Sequence, residues 1–266
     1  MNSPEHVPLG DVIGRAGNMG GGKTNALVAL ATNPALRGGV LFLQHIDTCR
    51  SAPDRAESRT KARYEGAIAV DSVNTLRQEI ERSAARNIFI DEVQFFCQDE
   101  ASLKALCELV LQIRASGRNM FWSGLQMDFR GQPFEITAFM MSISTHLELL
   151  VPTCPIEDCG RPAPYPQRLE YGHPVPRSHP RYLPDTDATG RYTYGARCSR
   201  HFCLPEAWNE HSVAIHKALE LSHKDGFKQG FADGQNNLHP ELLEDARRKG
   251  CEEGKIEAHI RSHQID

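Results

Sequence analysis

The sequence of 266 residues predicts an α/β fold, in which a mostly parallel sheet carries helices on both of its faces. Short apolar runs alternate with amphipathic segments over residues 9–150, and the glycine-rich stretch GNMGGGKT at residues 17–24 separates a strand pattern from a helix pattern. Another apolar run, residues 88–90, ends directly in two acidic residues. Strands that alternate with helices are typical of parallel sheets, because the crossover between parallel strands is usually a helix.

The predicted elements follow one another in a regular order. Apolar residues recur at helical spacing in three segments, which we expect to form helices at residues 24–32, 73–86 and 101–115. Short apolar runs predict strands at residues 12–13, 40–43, 68–70, 88–90 and 120–122. Residues 47–66 are polar and rich in arginine, and a loop is expected there. Together these elements predict one sheet-based domain over residues 1–150.

The composition of the chain changes after Val151. Nine of the 16 prolines lie between Pro152 and Pro184, and proline breaks helices and lacks an N–H group for sheets. Such a loop-rich segment with few apolar residues needs a staple to hold its shape. We therefore predict a small second domain over residues 151–206, followed by a helical extension of unknown role over residues 207–266.

Residues 17–24 fit the pattern G-x-x-x-x-G-K-[ST] of loops that bind nucleotide phosphates. Glycines let the backbone curl so that several N–H groups point at one anion, and the following helix adds its positive end. Lys23 would reach the β- and γ-phosphates, and Thr24 would hold Mg²⁺. The predicted phosphate-binding residues of this loop are Gly17, Asn18, Met19, Gly20, Gly21, Gly22, Lys23 and Thr24.

The stretch IFIDEVQFF at residues 88–96 is an apolar strand that ends in an acid, which is the usual partner of a phosphate-binding loop. Asp91 is placed to bind Mg²⁺ through water, alongside Thr24. Glu92 would point elsewhere, where it is suited to accept a proton from an attacking hydroxyl group or to orient a water molecule. The stretch therefore predicts two acidic residues with different roles.

Cysteines with the spacing of zinc ligands occur in two groups. The chain has eight cysteines, and in a reducing compartment such pairs indicate a metal rather than disulfides. Cys154 and Cys159 form one group, and Cys198, His201 and Cys203 form the other. Five candidates compete for the four positions around zinc, so that His201 and Cys203 are alternatives for the fourth ligand. No position remains for a catalytic water, and the predicted Zn²⁺ is therefore structural.

Composition and charge argue against several classes of function. The formal net charge is −4, so no overall positive field attracts nucleic acid or anionic membranes, and no nucleic-acid partner is expected. No apolar run reaches the roughly 18 residues of a membrane span, and the N-terminus lacks the pattern of a signal peptide. We therefore expect a cytoplasmic protein.

In combination, these motifs resemble those of the zinc-containing (type II) thymidine kinases. That family pairs a loop of the form GPMFSGKT with a DEAQFF-like strand end and a GLDxDFRGxPF-like stretch. A cysteine knuckle, a QR pair and a Y-x-x-x-C-x-x-[CH] segment follow. The same order occurs here over about residues 9–206, as GNMGGGKT, DEVQFF, GLQMDFRGQPF, Cys154 with Cys159, Gln167-Arg168, and Tyr194 to His201.

The resemblance implies ATP-dependent phosphorylation of the 5′-hydroxyl of thymidine, with deoxyuridine as a second candidate substrate. It also implies a RecA-like kinase domain, a small zinc domain that carries a lasso loop over the nucleoside, and a homotetramer. Glu92 corresponds to the general base, Gln94 and Arg168 to ATP- and phosphate-binding residues, and His201 to the fourth zinc ligand. The residues that resemble the nucleoside pocket are Met19, Phe95, Leu125, Phe129, Phe134 and Tyr194.

The chain departs from the family pattern at several positions. Asn18, Gly20 and Gly21 replace the usual Pro, Phe and Ser of the phosphate loop, and Gln126 stands where many members have Asp. Four residues rather than two separate the first cysteine pair, and an extra residue shifts Arg50 relative to the family's arginine.

Two other functions are compatible with these motifs. One is a RecA-like ATPase in which Glu92 polarises water and the zinc module binds a nucleic acid or protein partner. The other is a nucleotide-binding protein that keeps the fold without catalysis. The acidic net charge argues against the first. The joint presence of a phosphate-loop lysine and threonine with two strand-end acids argues against the second.

Overall fold

The computed structural model describes residues 8–49, 53–58, 61–183 and 191–205. The predicted helical extension at residues 207–266 and Arg50 lie outside these residues. The Cα positions divide the chain into two compact units, of which the first comprises residues 1–166, 181–188 and 194–202. The second comprises residues 167–180, 189–193 and 203–266. The domain boundaries expected after residues 150 and 206 stay predictions.

The described residues include eleven strands and four α-helices. The strands are β1 (Val12–Gly17), β2 (Val40–His45), β3 (Arg55–Glu57), β4 (Arg63–Glu65), β5 (Ile68–Val70), β6 (Asn87–Asp91), β7 (Asn119–Leu125), β8 (His146–Leu150), β9 (Tyr165–Glu170), β10 (His173–Pro174) and β11 (Tyr192–Arg197). The helices are α1 (Lys23–Ala31), α2 (Val73–Arg82), α3 (Glu100–Ala115) and α4 (Glu135–Ile143). Short 3₁₀ turns cover Ile46–Thr48 and Val93–Phe96.

A six-stranded sheet in the order β5-β2-β6-β7-β1-β8 lies at the centre of the first unit, and its strands pair in parallel. Side chains of a strand alternate between the two faces of a sheet. Ile88 and Ile90 of β6 accordingly join a core with α2, α3 and α4, whereas Phe89 joins a separate core with α1. The predicted α/β fold with helices on both faces is therefore confirmed.

The register of the sheet brings the predicted site residues to one edge. Gly17, the last residue of β1, pairs with Leu125 at the end of β7 and with Leu150 at the end of β8. Asp91 ends β6 and pairs with Gln44 of β2. Because the strands are parallel, the loops that follow them start from the same edge, where α/β sheets bind ligands.

Three segments differ from the expected elements. The expected loop at residues 47–66 contains the β3–β4 hairpin, whose Tyr64 stacks on Phe42 of the sheet with the ring centroids 5.1 Å apart. Helix α2 ends at Arg82 rather than at residue 86, and the guanidinium of Arg118 donates hydrogen bonds to the carbonyl of Ile80 and to two further carbonyls beyond the helix. The strand β8 and the helix α4 have no counterpart among the expected elements.

The proline-rich part of the chain forms a small second sheet with the order β10-β9-β11. Within the second unit, Arg191 donates to Glu170 at 2.6 Å, and the side chain of Gln167 exchanges two hydrogen bonds with the backbone of Cys203. Over the residues that the structure describes, no helix combines the length and the apolar character needed to cross a bilayer.

Candidate active site and metal centre

The phosphate-loop residues connect β1 to α1, as the motif requires. Gly20 has a φ of +78°, in the left-handed region that favours glycine. At Gly21 a Cβ atom would lie 2.4 Å from the carbonyl oxygen of Leu150, so the loop passes too close to the end of β8 for a side chain. All three consecutive glycines therefore have a reason, which is conformational at Gly20 and at Gly22, whose φ is +85°, and steric at Gly21.

The side chain and the backbone carbonyl of Asn18 accept hydrogen bonds from other residues of this loop. Its side chain is buried, and its Oδ1 accepts a hydrogen bond from the backbone N–H of Met19 at 2.7 Å. The backbone carbonyl of Asn18 accepts hydrogen bonds from Gly21 N–H at 3.2 Å and from the Nζ of Lys23 at 3.1 Å. Lys23 itself is 5% exposed, so its ammonium group is held inside the loop that would cradle the phosphates.

Asp91 links the end of β6 to the start of α1. One carboxylate oxygen accepts a hydrogen bond from Oγ1 of Thr24 at 2.9 Å, and the other accepts from the hydroxyl of Ser123 on β7. Burial raises the pKa of Asp91 to about 6, and the nearby carboxylate of Glu92 adds to this rise, although both hydroxyl hydrogen bonds counteract it. The hydroxyl and carboxylate oxygens match the oxygen ligands that Mg²⁺ prefers.

Glu92 follows Asp91 in an unusual backbone conformation. Its φ is +52°, and its N–H donates to the Asp91 carboxylate at 3.1 Å. Its own carboxylate accepts a hydrogen bond of 2.6 Å from Nε2 of Gln94, whose Oε1 in turn accepts from the N–H of Leu125. Left-handed backbone at a residue other than glycine costs about 1–3 kcal/mol and tends to occur at functional sites. The sheet edge and Gln94 together therefore set the direction of the Glu92 side chain.

The residues predicted for the nucleoside pocket lie on several loops and strands of the first unit. Phe129 and Phe134 are buried in the segment after β7, and Phe95 lies half-buried in the 3₁₀ turn after Glu92. Met19, Leu125 and Tyr194 are also half-buried. That these side chains jointly line one pocket stays a prediction.

Two side-chain amides hold the chain where it leaves the first cysteine pair. Nδ2 of Asn18 donates to the carbonyl of Ala163 at 2.9 Å, and Nε2 of Gln126 donates to the carbonyl of Pro164 at 3.3 Å. Both amides occupy positions at which the chain departs from the family pattern. The phosphate loop and the loop after β7 thus contact the same short segment.

The four predicted metal ligands lie together in the first unit. The ligand atoms of Cys154, Cys159, Cys198 and His201 are all within 4.8 Å of one another. Nδ1 of His201 is 3.5 Å from the sulfurs of Cys154 and Cys198, and the sulfurs of Cys159 and Cys198 are 3.6 Å apart. Ligands about 2.0–2.3 Å from a tetrahedral zinc ion lie about 3.5–3.8 Å from one another. The cluster fits zinc, and it contains His201 rather than Cys203.

Two predicted residues belong to the second unit. Cys203 lies against Gln167, whose Oε1 accepts its N–H at 2.8 Å. The guanidinium of Arg168 is buried, donates to the carbonyl of Pro180 and lies 3.1 Å from Nδ1 of His179. The contact of Arg168 with a phosphate stays a prediction.

Sequence reasoning missed two groups of site residues. Ser123 interrupts an otherwise apolar strand next to β6, and this polar position was a usable signal for a partner of Asp91. Arg181 and Tyr182 contact the loop after β7 and the end of the 3₁₀ turn, respectively. They come from a distant, proline-rich part of the chain, where no local pattern marks them.

Comparisons with known proteins identify the family of this chain. The family model described as thymidine kinase matches residues 11–202. A thymidine kinase of Pyrobaculum aerophilum is 42% identical over 118 residues, which cover 44% of this chain and 57% of that protein. A thymidine kinase of Thermococcus kodakarensis is 32% identical over 195 residues, which cover 71% of this chain and 92% of that protein. The resemblance inferred from the motifs is confirmed, and the chain belongs to the thymidine kinase family.

Proposed function

We propose that this protein transfers the γ-phosphoryl group of ATP to the 5′-hydroxyl of thymidine, which supplies thymidine monophosphate for the salvage of DNA precursors. The observation that carries the proposal is the hydrogen bond of Thr24 to Asp91, with Glu92 beside it, at the edge of the sheet where the phosphate loop begins. Membership in the thymidine kinase family implies ATP use. It also makes the substrate a small molecule.

Different residues of the chain have different roles in phosphoryl transfer. The N–H groups of the loop at residues 17–24 and the ammonium of Lys23 bind the β- and γ-phosphates, and they stabilise the charge that develops on them. Glu92 accepts the proton of the 5′-hydroxyl while that oxygen bonds to the γ-phosphorus and the bond to the bridging oxygen of ADP breaks. Gln94 orients Glu92 through its 2.6 Å hydrogen bond.

The proposed function also involves two metal ions, Mg²⁺ and Zn²⁺. Thr24 and Asp91 would hold Mg²⁺, which neutralises phosphate charge when it is bound. Zn²⁺ in the Cys₃His cluster has four protein ligands and therefore has a structural role. No step of the transfer reaction requires the zinc ion.

The nucleoside binds among the side chains of Met19, Phe95, Leu125, Phe129, Phe134 and Tyr194. An apolar wall of this kind excludes water, which would otherwise compete as an acceptor of the phosphoryl group. Thymidine and deoxyuridine differ by one methyl group, which is worth about 1–3 kcal/mol in an apolar pocket, so both are substrates and thymidine is preferred.

The protein acts as a homotetramer in the cytoplasm. The edge strand β8 supports assembly, because its Leu147 and Leu149 are 37% and 51% exposed on an edge that no other described strand covers. Exposed edges with apolar side chains tend to be covered by another chain. Three cysteines that cluster without a disulfide suit a reducing compartment.

A single-turnover assay with ATP, Mg²⁺ and a panel of nucleosides tests the proposal. We expect thymidine to gain phosphate with one ADP formed per monophosphate. Glu92→Gln should lower kcat by roughly 10²–10⁴-fold, because the base is lost while the phosphate loop is intact. The matched control is Glu79→Gln, since Glu79 pairs with Arg82 on the surface of α2.

Two outcomes would contradict the proposal. ATP hydrolysis without phosphorylation of any nucleoside would favour the RecA-like ATPase. Equal turnover of the Glu92→Gln variant and the wild-type protein would remove Glu92 from its role as the base. ATP binding by the variant, measured by calorimetry, separates a catalytic defect from a loss of the fold.

A further inference from the structure

Arg181 concentrates its contacts on one loop of the first unit. Its Nε lies 3.1 Å from the carboxylate of Asp128, and its Nη1 lies 3.1 Å from the carboxylate of Glu135. Its Nη2 donates to the carbonyl of Pro133 at 2.7 Å, and its Cζ lies 4.8 Å from the ring centroid of Phe134. One planar guanidinium thus contacts four residues between positions 128 and 135.

The partner carboxylate of Asp128 shapes the same loop. Its Oδ1 accepts the backbone N–H groups of Arg130 at 2.9 Å and Gln132 at 3.0 Å, which fixes a tight turn. Its Oδ2 faces Arg181, and the side chain of Asp128 is only 2% exposed. A buried carboxylate requires a countercharge, because isolated charges are costly away from water. Arg181 supplies this charge, so the shape of the turn depends on it.

The two residues that follow Arg181, Tyr182 and Leu183, make further contacts within the first unit. The ring of Tyr182 lies 5.8 Å from that of Phe134, and its hydroxyl donates to the carbonyl of Cys97, directly after the 3₁₀ turn that carries Phe95. The hydroxyl of Tyr194 donates to the carbonyl of Leu183. Residues 181–183 therefore contact three segments that carry predicted nucleoside residues. These segments are the 3₁₀ turn after β6, the loop after β7, and β11.

We propose that Arg181 is a positioning residue for the nucleoside site. It holds the loop of residues 126–135 in the shape that presents Phe129 and Phe134, and it acts through that loop rather than on the reacting atoms. The inference rests on the proposed function. A planar guanidinium is suited to this role because it can bind two carboxylates and a carbonyl and stack on a ring at the same time, which an ammonium cannot do.

Steady-state kinetics of Arg181→Met and Arg181→Lys test this inference. We expect Arg181→Met to raise the KM for thymidine at least tenfold, with kcat and the KM for ATP within twofold of the wild-type values. Arg181→Lys should give a KM for thymidine between those of the wild-type protein and Arg181→Met, because lysine keeps the positive charge but lacks the planar guanidinium. Adding Asp128→Asn to Arg181→Met removes the uncompensated charge while Oδ1 remains an acceptor, and should restore part of the lost affinity.

Arg191→Met is the matched control. Arg191 also pairs with a buried carboxylate, that of Glu170, and lies 5.0 Å from the ring centroid of Tyr192, but it belongs to the second unit. Its replacement should leave the KM for thymidine within twofold of the wild-type value. An equal change in the two arginine variants would overturn the proposal.

Hydrogen exchange gives a readout that does not depend on turnover. In Arg181→Lys, the backbone N–H groups of residues 128–132 and of Phe134 should exchange at least tenfold faster than in the wild-type protein, while those of β6 and β7 are unchanged. The inference is wrong if loop exchange and the KM for thymidine both stay within twofold, or if the KM values for ATP and thymidine rise together. Failure of the wild-type protein to phosphorylate thymidine would instead refute the proposed function, and loop exchange would still decide the role of Arg181.

Discussion

The phosphate loop and the Cys₃His cluster belong to the same unit but are held in different ways. The loop continues from β1, which is paired on both sides, and the sheet beneath it joins large buried cores on both faces. The cluster has a buried apolar core of only four residues, Cys154, Ala163, Ala196 and Cys198. Two of these, Cys154 and Cys198, are predicted metal ligands.

This difference determines what each region needs in order to fold. Burial of apolar surface stabilises by about 25 cal/mol per Å², so the sheet region obtains its stability from its side chains alone. A core as small as that of the cluster cannot offset the entropy of ordering a proline-rich chain, and small modules of this kind use a metal instead. We therefore expect the shape of the cluster region, but not that of the sheet, to be conditional on zinc.

Removal of zinc should give the largest effect and tests the comparison directly. Binding free energies of structural zinc are on the order of 10 kcal/mol, so a strong chelator or Cys198→Ser should unfold residues 152–163 locally. Hydrogen exchange would show this as lost protection of Cys154 N–H and Ala163 N–H, which close the cysteine hairpin at 2.8 Å each. Protection in β6 and β7 should persist.

The control for this experiment is Cys107→Ser, which alters a half-buried cysteine of α3 outside the cluster. It should keep one zinc per chain by metal analysis. If Cys198→Ser also kept one zinc and its full exchange protection, the cluster would not stabilise this region. Loss of protection throughout β6 and β7 would instead show that the sheet also depends on zinc.

Asn18→Ala tests whether the two regions are independent. The substitution leaves the carbonyl of Ala163 without its 2.9 Å donor in a buried place, which costs about 1–3 kcal/mol. We expect a lower free energy of unfolding in urea and faster loss of zinc to a chelator. Gln126→Ala is the comparison variant, because it removes a longer hydrogen bond from a half-buried amide.

Gln126→Ala should cost less, about 0.5–1.5 kcal/mol, and should release zinc more slowly than Asn18→Ala does. The same rate of zinc loss in Asn18→Ala and the wild-type protein would mean that the phosphate loop does not support the cluster region. The phosphate loop and the cluster region would then be stabilised independently of each other.

Gly20→Ala should lower the free energy of unfolding less than Asn18→Ala does. The left-handed φ of +78° costs an alanine about 1–2 kcal/mol, although a Cβ atom would meet no neighbour within 4 Å. Gly66→Ala is matched, with a φ of +83° and the same open space beside the β3–β4 hairpin. Both should lower the free energy of unfolding equally, but only Gly20→Ala should raise the KM for ATP. A raised KM for ATP in both variants would contradict this assignment.

The sheet region was predictable from sequence because its signals are local. Residues 17–24 and 88–92 carry the motif and the strand on contiguous residues, and parallel topology places strand ends at one edge. The cysteine spacing predicted the cluster, since ligand identity and spacing are local as well. The choice of His201 over Cys203 came from the family's spacing, and the geometry agrees with it.

The rest of the site depends on contacts between residues far apart in sequence. Arg181 reaches Asp128 across 53 residues (181 − 128), and the proline-rich sequence around Arg181 has no regular apolar spacing. The β3–β4 hairpin was missed because each strand has three residues with a single apolar one, which is too short for an alternation to be recognised. It is held by the stacking of Tyr64 on Phe42, which only the fold reveals.

The close approach of Gly21 to Leu150 has a consequence for protein engineering. Substitution toward the family consensus commonly stabilises a protein, and here it would replace Gly21 with serine. The carbonyl of Leu150 occupies the space that any side chain would need, so this consensus change would be harmful unless the end of β8 moved away. Relatives that carry serine at this position must therefore separate the two backbones, and phosphate loops should not be exchanged between members without their edge strands.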